Sequence, residues 1–281
     1  MLKLKNFLFY FLLFIIGTNS IFAQQIKIIT YNIRLDVAID GLNQWGKRIN
    51  SIDSLLKKYS PDVLCIQEGL YNQILDLQTM LPNYFYVGGG RDDGKEKGEF
   101  SAVFFKKNKF ELVTSNTFWL SLTPEIVGSK GWDAAITRIC SYGKVKLKNT
   151  NKSLYVFNTH FDHIGETARQ ESAKLILNKI TEIAGNEAVI LTGDFNSEPN
   201  SVAYNSITNF TNHPFKDSYT NSKNKDCTFT GFEVKSKICK RIDFIFYDKN
   251  FKLKNYQIIN DNNGVFYPSD HLAVEAILEI K

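Results

Sequence analysis

VILTGDFNSEP, residues 189–199, is the stretch on which the reading of this chain turns. An apolar run and a Thr read as a buried strand, and Gly193, Asp194, Asn196 and Glu198 then crowd its tip. Asp, Asn, Ser and Pro all favour turns for local reasons, so a turn is one explanation. The other is an ion site at the carboxyl edge of a sheet. The rest of the chain has to choose between them.

Working outward to the start, Lys3 and Lys5 precede an apolar run from Phe7 to Ile16, then Thr18, Asn19, Ser20 and Phe22-Ala23-Gln24. That is the layout of a secretory signal peptide ending at Ala23, which leaves 24–281 as a single catalytic domain. A membrane anchor needs about 20 apolar residues, and this run is shorter; no Cys follows it to carry a lipid. The expected location is therefore periplasmic or extracellular. The formal charge of +5 falls to +3 without Lys3 and Lys5, so net charge implies no polyanionic partner. Cys65 and Cys140 sit inside apolar runs and read as small buried hydrophobes. Cys227 and Cys239 flank a polar segment, and export permits a disulfide between them without requiring one.

Strand-like and helix-like segments alternate through the mature chain. Ile26–Tyr31 reads as a strand, and Ile49, Ile52, Leu55, Leu56 and Tyr59 fall on one helical face. Asp62–Gln67 is the next strand, and Leu70–Met80 the next helix. Strands follow over 101–106, 111–119, 137–146 and 154–159. Thr167 and Gln170 have capping-box spacing and are expected to open a helix with Ser172, Ile176, Ile180 and Ile183 inward. After the opening stretch come a short helix over 201–207 and strands over 241–247, 256–259 and 272–278. Strands outnumber helices, and two packed sheets with helices outside them satisfy the pattern.

Polar groups recur where the apolar strands end: Asn32, Glu68, His160, Asp194 with Asn196, Asp243, and Asp270-His271. If those ends meet, they line one cleft with carboxylates, amides and imidazoles. Hard oxygen donors without Cys favour Mg²⁺ or Mn²⁺, an ion that could offset charge developing on phosphoryl oxygens. Histidine moves protons near neutral pH, and Asp243 could orient His271 through its second ring nitrogen. Other chemistries fail on spacing. An EF-hand counted from Asp194 needs Gly where Pro199 stands. Neither a G-x-S-x-G elbow nor a Walker loop occurs. A His-rich dizinc site needs more imidazoles than the four His in the chain.

TYNIR (30–34), IQE (66–68), NTHFDH (158–163), GDFN (193–196), RIDFIF (241–246) and SDH (269–271) occur in this order. The ordered set resembles the endonuclease/exonuclease/phosphatase family, which includes pancreatic deoxyribonuclease, neutral sphingomyelinases, inositol polyphosphate phosphatases and deadenylases. GRDDGKEKGEF (90–100) and the segment 118–140 resemble a secreted bacterial branch of it.

The resemblance implies a four-layer α/β/β/α sandwich and a divalent-metal phosphoesterase; a monomer using Mg²⁺ or Mn²⁺ on a nucleic acid, phospholipid head group or sugar or inositol phosphate is expected. By motif position, Glu68 is the main metal ligand with Asn32 beside it and Asp270 as an acidic neighbour. Asp194 and Asn196 flank the attacking water and the phosphate, and Asp243 and His271 form a carboxylate–imidazole pair. His160 is the second catalytic histidine, oriented by Glu99, and Arg138 contacts phosphate. Either Asp194 or the His271–Asp243 pair would activate the water. Asp162 and His163 either shape a loop or serve the site. Arg91, Asp92 and Asp93 read as loop, Trp119 and Trp132 as packing or a stacking surface, and His213 as an ordinary surface residue.

Overall fold

Alternation along the strands decides which side chains meet between the sheets and which meet the helices. A computed structural model describes residues 24–219 and 227–281, so the leader expected over 1–23 lies outside the described residues. In chain order the first elements are β1 (Gln25–Asn32), α1 (Trp45–Tyr59), β2 (Val63–Gln67), α2 (Tyr71–Met80), β3 (Tyr84–Val87) and β4 (Val103–Lys106). Next come β5 (Phe110–Trp119), β6 (Ile139–Leu147), β7 (Ser153–His160), α3 (Glu166–Ala184), β8 (Ala188–Asp194) and α4 (Val202–Thr208). The last are β9 (Phe215–Asp217), β10 (Asp243–Asp248), β11 (Phe251–Ile259) and β12 (Ala273–Ile280).

The strands form two six-stranded sheets, ordered β11-β12-β1-β2-β4-β3 and β5-β6-β7-β8-β10-β9. Each sheet holds one parallel pair near its centre, β1 with β2 and β7 with β8, among antiparallel neighbours. Ile26 and Ile28 of β1 point inward to meet Val156, Ile190 and Ile245 of the other sheet. Ile29 and Tyr31 point outward, under Ile52, Leu56, Ile74 and Leu77 of α1 and α2. On the second sheet Val189 and Leu191 face Ile176, Leu177 and Ile180 of α3. The expected four-layer α/β/β/α sandwich is what the chain forms.

Asn158 ties the two sheets together near the cleft. Its Nδ2 donates to the Ile66 and Ala102 carbonyls at 2.8 and 3.0 Å, and its Oδ1 accepts from Gln67 Nε2 at 2.7 Å. A buried polar group survives in a sheet interface only when it is satisfied in this way.

Three expectations need correction. Thr167 and Gln170 do not open α3: its cap is Gly165, and Asp133 takes the Thr167 and Ala168 amides at 3.2 and 2.6 Å. A cap supplied from 34 residues upstream leaves no local spacing to read. Ile183 is only half-buried, and Ala184 occupies the inward position instead. His213 is not a surface residue but is buried, with Nε2 2.9 Å from Asp248 Oδ2 and Nδ1 3.2 Å from the Gly185 carbonyl. Its carboxylate and carbonyl partners come from the end of β10 and the residue after α3, which sequence does not announce. Trp119 is buried, donating Nε1 to the Arg91 carbonyl at 2.7 Å, and so pins the 88–99 loop rather than offering a free stacking face. Cys227 and Cys239 are disulfide-bonded, while Cys65 and Cys140 are buried and free.

Asp162 shapes the loop after β7. Burial raises its carboxyl pKa, but the backbone amides of Gly165, Ala135, Ile164 and Ile136 outweigh that and bring it down to about 2 from an ordinary 3.8. A folded-state pKa below the unfolded one stabilises fully above the unfolded value, and the effect is lost as pH falls through the folded one. Replacing Asp162 with Asn should therefore cost on the order of 2 kcal/mol at pH 7, the scale of orphaning buried amides. In urea titrations the gap between the parent and Asp162→Asn should close as the pH falls from about 4 to about 2. A gap that stays constant over that range would show that the carboxylate charge is not what holds this loop.

Candidate active site

Strand register delivers the site residues to one edge. In the parallel β7–β8 pair His160 stands opposite Asp194, and in the antiparallel β8–β10 pair Asp194 stands opposite Asp243. One residue from each of three adjacent strands thus ends on a single line. On the other sheet Asn32 ends β1 beside Gln67, so Glu68 follows at the same edge. β12 runs antiparallel to β1, and Asp270-His271 just before it arrive there too.

Gly193 explains the residue before Asp194: a Cβ there would lie 2.1 Å from the Thr159 carbonyl oxygen. Only glycine lets β7 and β8 approach at that point. Arg34, Glu68 and Asn196 all have positive φ, at 57°, 63° and 43°. Such conformations cost about 1–3 kcal/mol each and gather at functional sites.

The geometry is tight. Asn32 Nδ2 donates to Glu68 Oε1 at 2.9 Å and to Asp194 Oδ2 at 3.0 Å, while its Oδ1 accepts from the Arg34 amide at 3.0 Å. His271 Nδ1 lies 2.9 Å from Asp243 Oδ2, and its Nε2 lies 3.7 Å from Asp194 Oδ2. His160 Nε2 lies 3.4 Å from the same Asp194 oxygen and 3.1 Å from Asn196 Nδ2. Asn196 Nδ2 also donates to the Phe161 carbonyl at 3.0 Å. A carbonyl can only accept, which fixes the amide's orientation and makes His160 Nε2 an acceptor, with the ring proton on Nδ1. That Nδ1 is 4.0 Å from Glu99 Oε2, which Arg91 holds at 2.7 Å.

The electrostatics follow from burial and neighbours. Burial and the Asp243 charge push the Asp194 carboxyl up to about 7. Burial and the Arg138 charge drive His160 well below its usual range, so it is neutral. Burial opposes the charge on His271, but Asp243 and Asp194 win and raise it well above. Burial raises Asp270, with the Glu68 charge adding to the rise against His271, Arg34 and Arg48.

These groups line one cleft of about 660 Å³. Glu68, Glu99, Arg138, His160, Asp194, Asn196, Asp270 and His271 border it, with Asn32 and Asp243 buried directly behind. Every expected site residue is thus in one place. Asn32 stands there as a bridge between two carboxylates. Asp162 and His163 flank Arg138, at 3.6 Å from its Nε and 3.2 Å from its Nη2. The sequence reading passed over Arg34, Arg169, Lys240, Phe229 and the acidic pair Glu166 and Glu198, all of which line the cleft. Arg34 was within reach, two residues after Asn32 in TYNIR; the others sit on loops and helix turns without a motif.

Asp194, Asp243 and His271 also offer three ligand atoms within 4.8 Å of one another. Two of those residues are already joined by the 2.9 Å contact, which serves proton sharing better than chelation. Glu68 and Asp270 are the second acidic pair at the cleft: the Glu68 charge adds to the rise of Asp270, and Arg34 lies 3.8 Å from Glu68 and 4.0 Å from Asp270.

The chain is similar to an endonuclease/exonuclease/phosphatase from Bacteroides vulgatus, with a TM-score of 0.87 and 40% identity over 92% of this chain and 100% of that one. A mannosyl-6-phosphatase of Bacteroides thetaiotaomicron matches with a TM-score of 0.82 and 36% identity, over 90% of this chain and 99% of that one. A probable RNA exonuclease of Saccharomyces cerevisiae is 32% identical over 207 residues, covering 66% of this chain and 40% of the yeast protein. The chain spans about half the length of the curated relatives it matches. Residues 29–271 match the family model described as Endonuclease/Exonuclease/phosphatase family, and on that match the chain belongs to this family of phosphoester hydrolases.

Proposed function

We propose that the chain is an exported, Mg²⁺- or Mn²⁺-dependent phosphatase of sugar-type phosphomonoesters, using direct attack by water and no covalent intermediate. The observation that carries the phosphoesterase reading is Arg138. Its side chain is only 4% exposed, yet Nε and Nη1 have no hydrogen-bond partner and it borders the acid-lined cleft. A buried guanidinium with idle donors suits a dianionic phosphoryl group, which it can grip with two parallel bonds.

Glu68 and Asp270 would hold the cation, with Asn32 fixing the Glu68 carboxylate. Bound there, the ion supplies charge neutralisation on the phosphoryl oxygens. The chain's own groups do the rest. Arg138 and Asn196 orient the phosphoryl group, and neutral His160 stands between them and Asp194. Asp194 and His271 Nε2 flank the position for the attacking water, and Asp194 takes its proton. Asp243 holds the His271 ring so that Nε2 faces the reaction. Glu99, fastened by Arg91, faces His160 Nδ1. A silent binding protein on this fold would have no use for this complete set.

The substrate reading rests on the outer wall. Glu166 and Gln170 near the start of α3 and Glu198 before α4 border the cleft, with Arg169 and Lys240 among them. Carboxylates and the Gln170 amide accept hydrogen bonds from hydroxyls, and the carboxylates oppose the repeated phosphates of a nucleic acid. The Bacteroides mannosyl-6-phosphatase supports the same choice. Export is supported by the leader pattern and by the paired Cys227 and Cys239, since disulfides persist in oxidising compartments.

The test is a screen of the protein with Mg²⁺, Mn²⁺ or EDTA against mannose 6-phosphate, DNA, RNA and sphingomyelin. Sugar-phosphate hydrolysis abolished by EDTA is expected; faster turnover of nucleic acid or lipid would overturn the substrate class, and no turnover at all would overturn the enzyme reading. Glu68→Gln should weaken Mg²⁺ binding by calorimetry at least about tenfold, since losing even a hydrogen-bond partner of a metal ligand costs about 10–100-fold, with an unchanged melting temperature. Unaltered Mg²⁺ affinity would remove Glu68 from the ion site.

Asp194→Asn should fold normally and lower kcat on the order of 10²-fold or more, as loss of general acid–base catalysis does. Asn196→Ala should lower kcat and kcat/KM together. His271→Ala should be comparably severe, and its combination with Asp194→Asn far less than additive if both act on one water. Parental kcat in a folded Asp194→Asn enzyme would reduce the 194–196 tip to a turn.

A further inference from the structure

His271 and Asp243 stand where the sheet ladders stop. β12 begins only at Ala273, and β9 pairs with β10 only over Phe246–Asp248. The outer edge of Asp243 and the backbone of 270–272 therefore need other partners, and one loop supplies them. Cys227 and Cys239 are disulfide-bonded across 12 residues, with Cα atoms 4.8 Å apart. Phe229, inside that ring, bridges to Lys240 on one side and His271 on the other. The Thr228 hydroxyl accepts from the Ile242 and Asp243 amides at 2.9 and 3.1 Å, and the Thr228 carbonyl accepts from Leu272 at 2.6 Å. The Thr230 and Gly231 amides donate to the Asp270 carbonyl at 2.9 and 3.1 Å. The Phe229 ring lies 4.9 Å from the His271 ring, tilted by 58°.

We propose that this disulfide-closed loop is the positioning device of the His271–Asp243 pair, with Thr228 and Phe229 as its positioning residues. Thr228 is the only described residue that hydrogen-bonds both arms of the pair's backbone, from the start of β10 to the residue after His271. Phe229 packs against the imidazole, tilted by 58°, while Nδ1 meets Asp243 and Nε2 faces Asp194. Ser269 adds the other anchor, from its hydroxyl to the Asn32 carbonyl at 2.7 Å, which ties 269 to the first sheet but not to Asp243. The covalent ring keeps the 227–229 and 239–240 arms paired. Opening it frees the loop whose Thr228 joins the two backbone arms that carry Asp243 and His271. The inference rests on the pair's role in the proposed reaction, but the geometry it predicts can be measured without any substrate.

The readout is the His271 Nδ1 proton in histidine-labelled protein, which a hydrogen bond to a buried carboxylate moves far downfield and protects from exchange. It is paired with kcat and KM on mannose 6-phosphate with Mg²⁺. Three perturbations apply: Cys227→Ser with Cys239→Ser, treatment with a dithiol, and Thr228→Val. The dithiol passes two hydrogens to the Cys227–Cys239 bond, giving two thiols, and closes to its own cyclic disulfide. In each case circular dichroism should stay native, the Nδ1 signal should broaden or vanish, and kcat should fall about tenfold or more with KM within about twofold, since small misplacements cost that much. Thr228→Ser, which keeps the hydroxyl, should restore both readouts. A sharp, unshifted Nδ1 signal in the folded double Ser protein or in Thr228→Val would overturn the proposal. Should the double Ser protein fail to fold, the contrast of Thr228→Val with Thr228→Ser decides. Should the parent hydrolyse no phosphoester, the function reading falls while the proton signal still tests the loop.

Discussion

One amide spans the seam on which the site depends. Asn32 ends a strand of the first sheet, and both protons of its Nδ2 are spent on carboxylates, Glu68 beside it and Asp194 on the opposite sheet. The two acids would otherwise repel across the gap, and a neutral donor between them holds them apart at hydrogen-bond length without cancelling either charge. Behind it, Asn158 and Gln67 lock the sheets at the same depth. The spacing between the Glu68 side of the cleft and the Asp194 side is therefore fixed by backbone layers, not by flexible side chains.

That rigidity is accompanied by local strain. Arg34, Glu68 and Asn196 occupy left-handed backbone geometry, each directly after or near a strand tip. A strand that simply continued would point the Glu68 and Asn196 side chains to the faces of the sheets. The left-handed turn directs them into the cleft, and each is anchored: Glu68 by Asn32 and the Leu35 amide, Asn196 by Asp194 and the Phe161 carbonyl. The conformational cost is carried by the packing of the two sheets beneath.

The sandwich and the strand-end residues were legible in the sequence because both obey short-range rules. Apolar runs marked the strands, and polar residues at their tips marked an edge; Asp194, His160 and Asp243 then aligned through register alone. What stayed hidden was set by contacts between distant segments. α3 is capped by Asp133 rather than by its own first turn, and His213 is buried against Asp248. Edge strands β3 and β9, four and three residues long, were too short to show a period. Thr228 and Phe229 carried no pattern at all, since their importance lies in bridging two ladders that end short.

The two histidines show how far identity is from chemistry. His160 and His271 are alike in type and burial and both approach the same Asp194 oxygen, at 3.4 and 3.7 Å. Burial discourages charge on both. Around His160 the next influence is the Arg138 guanidinium, which adds to burial and keeps the ring neutral. Around His271 it is the Asp243 carboxylate, in contact with Nδ1, which reverses burial and favours the imidazolium. A neutral ring beside an arginine can lie against a phosphoryl group without adding to the cation count, whereas a charged ring beside Asp194 holds that acid towards its ionised form. The asymmetry arises from which neighbour each strand brings alongside, so it belongs to the fold before it belongs to either residue.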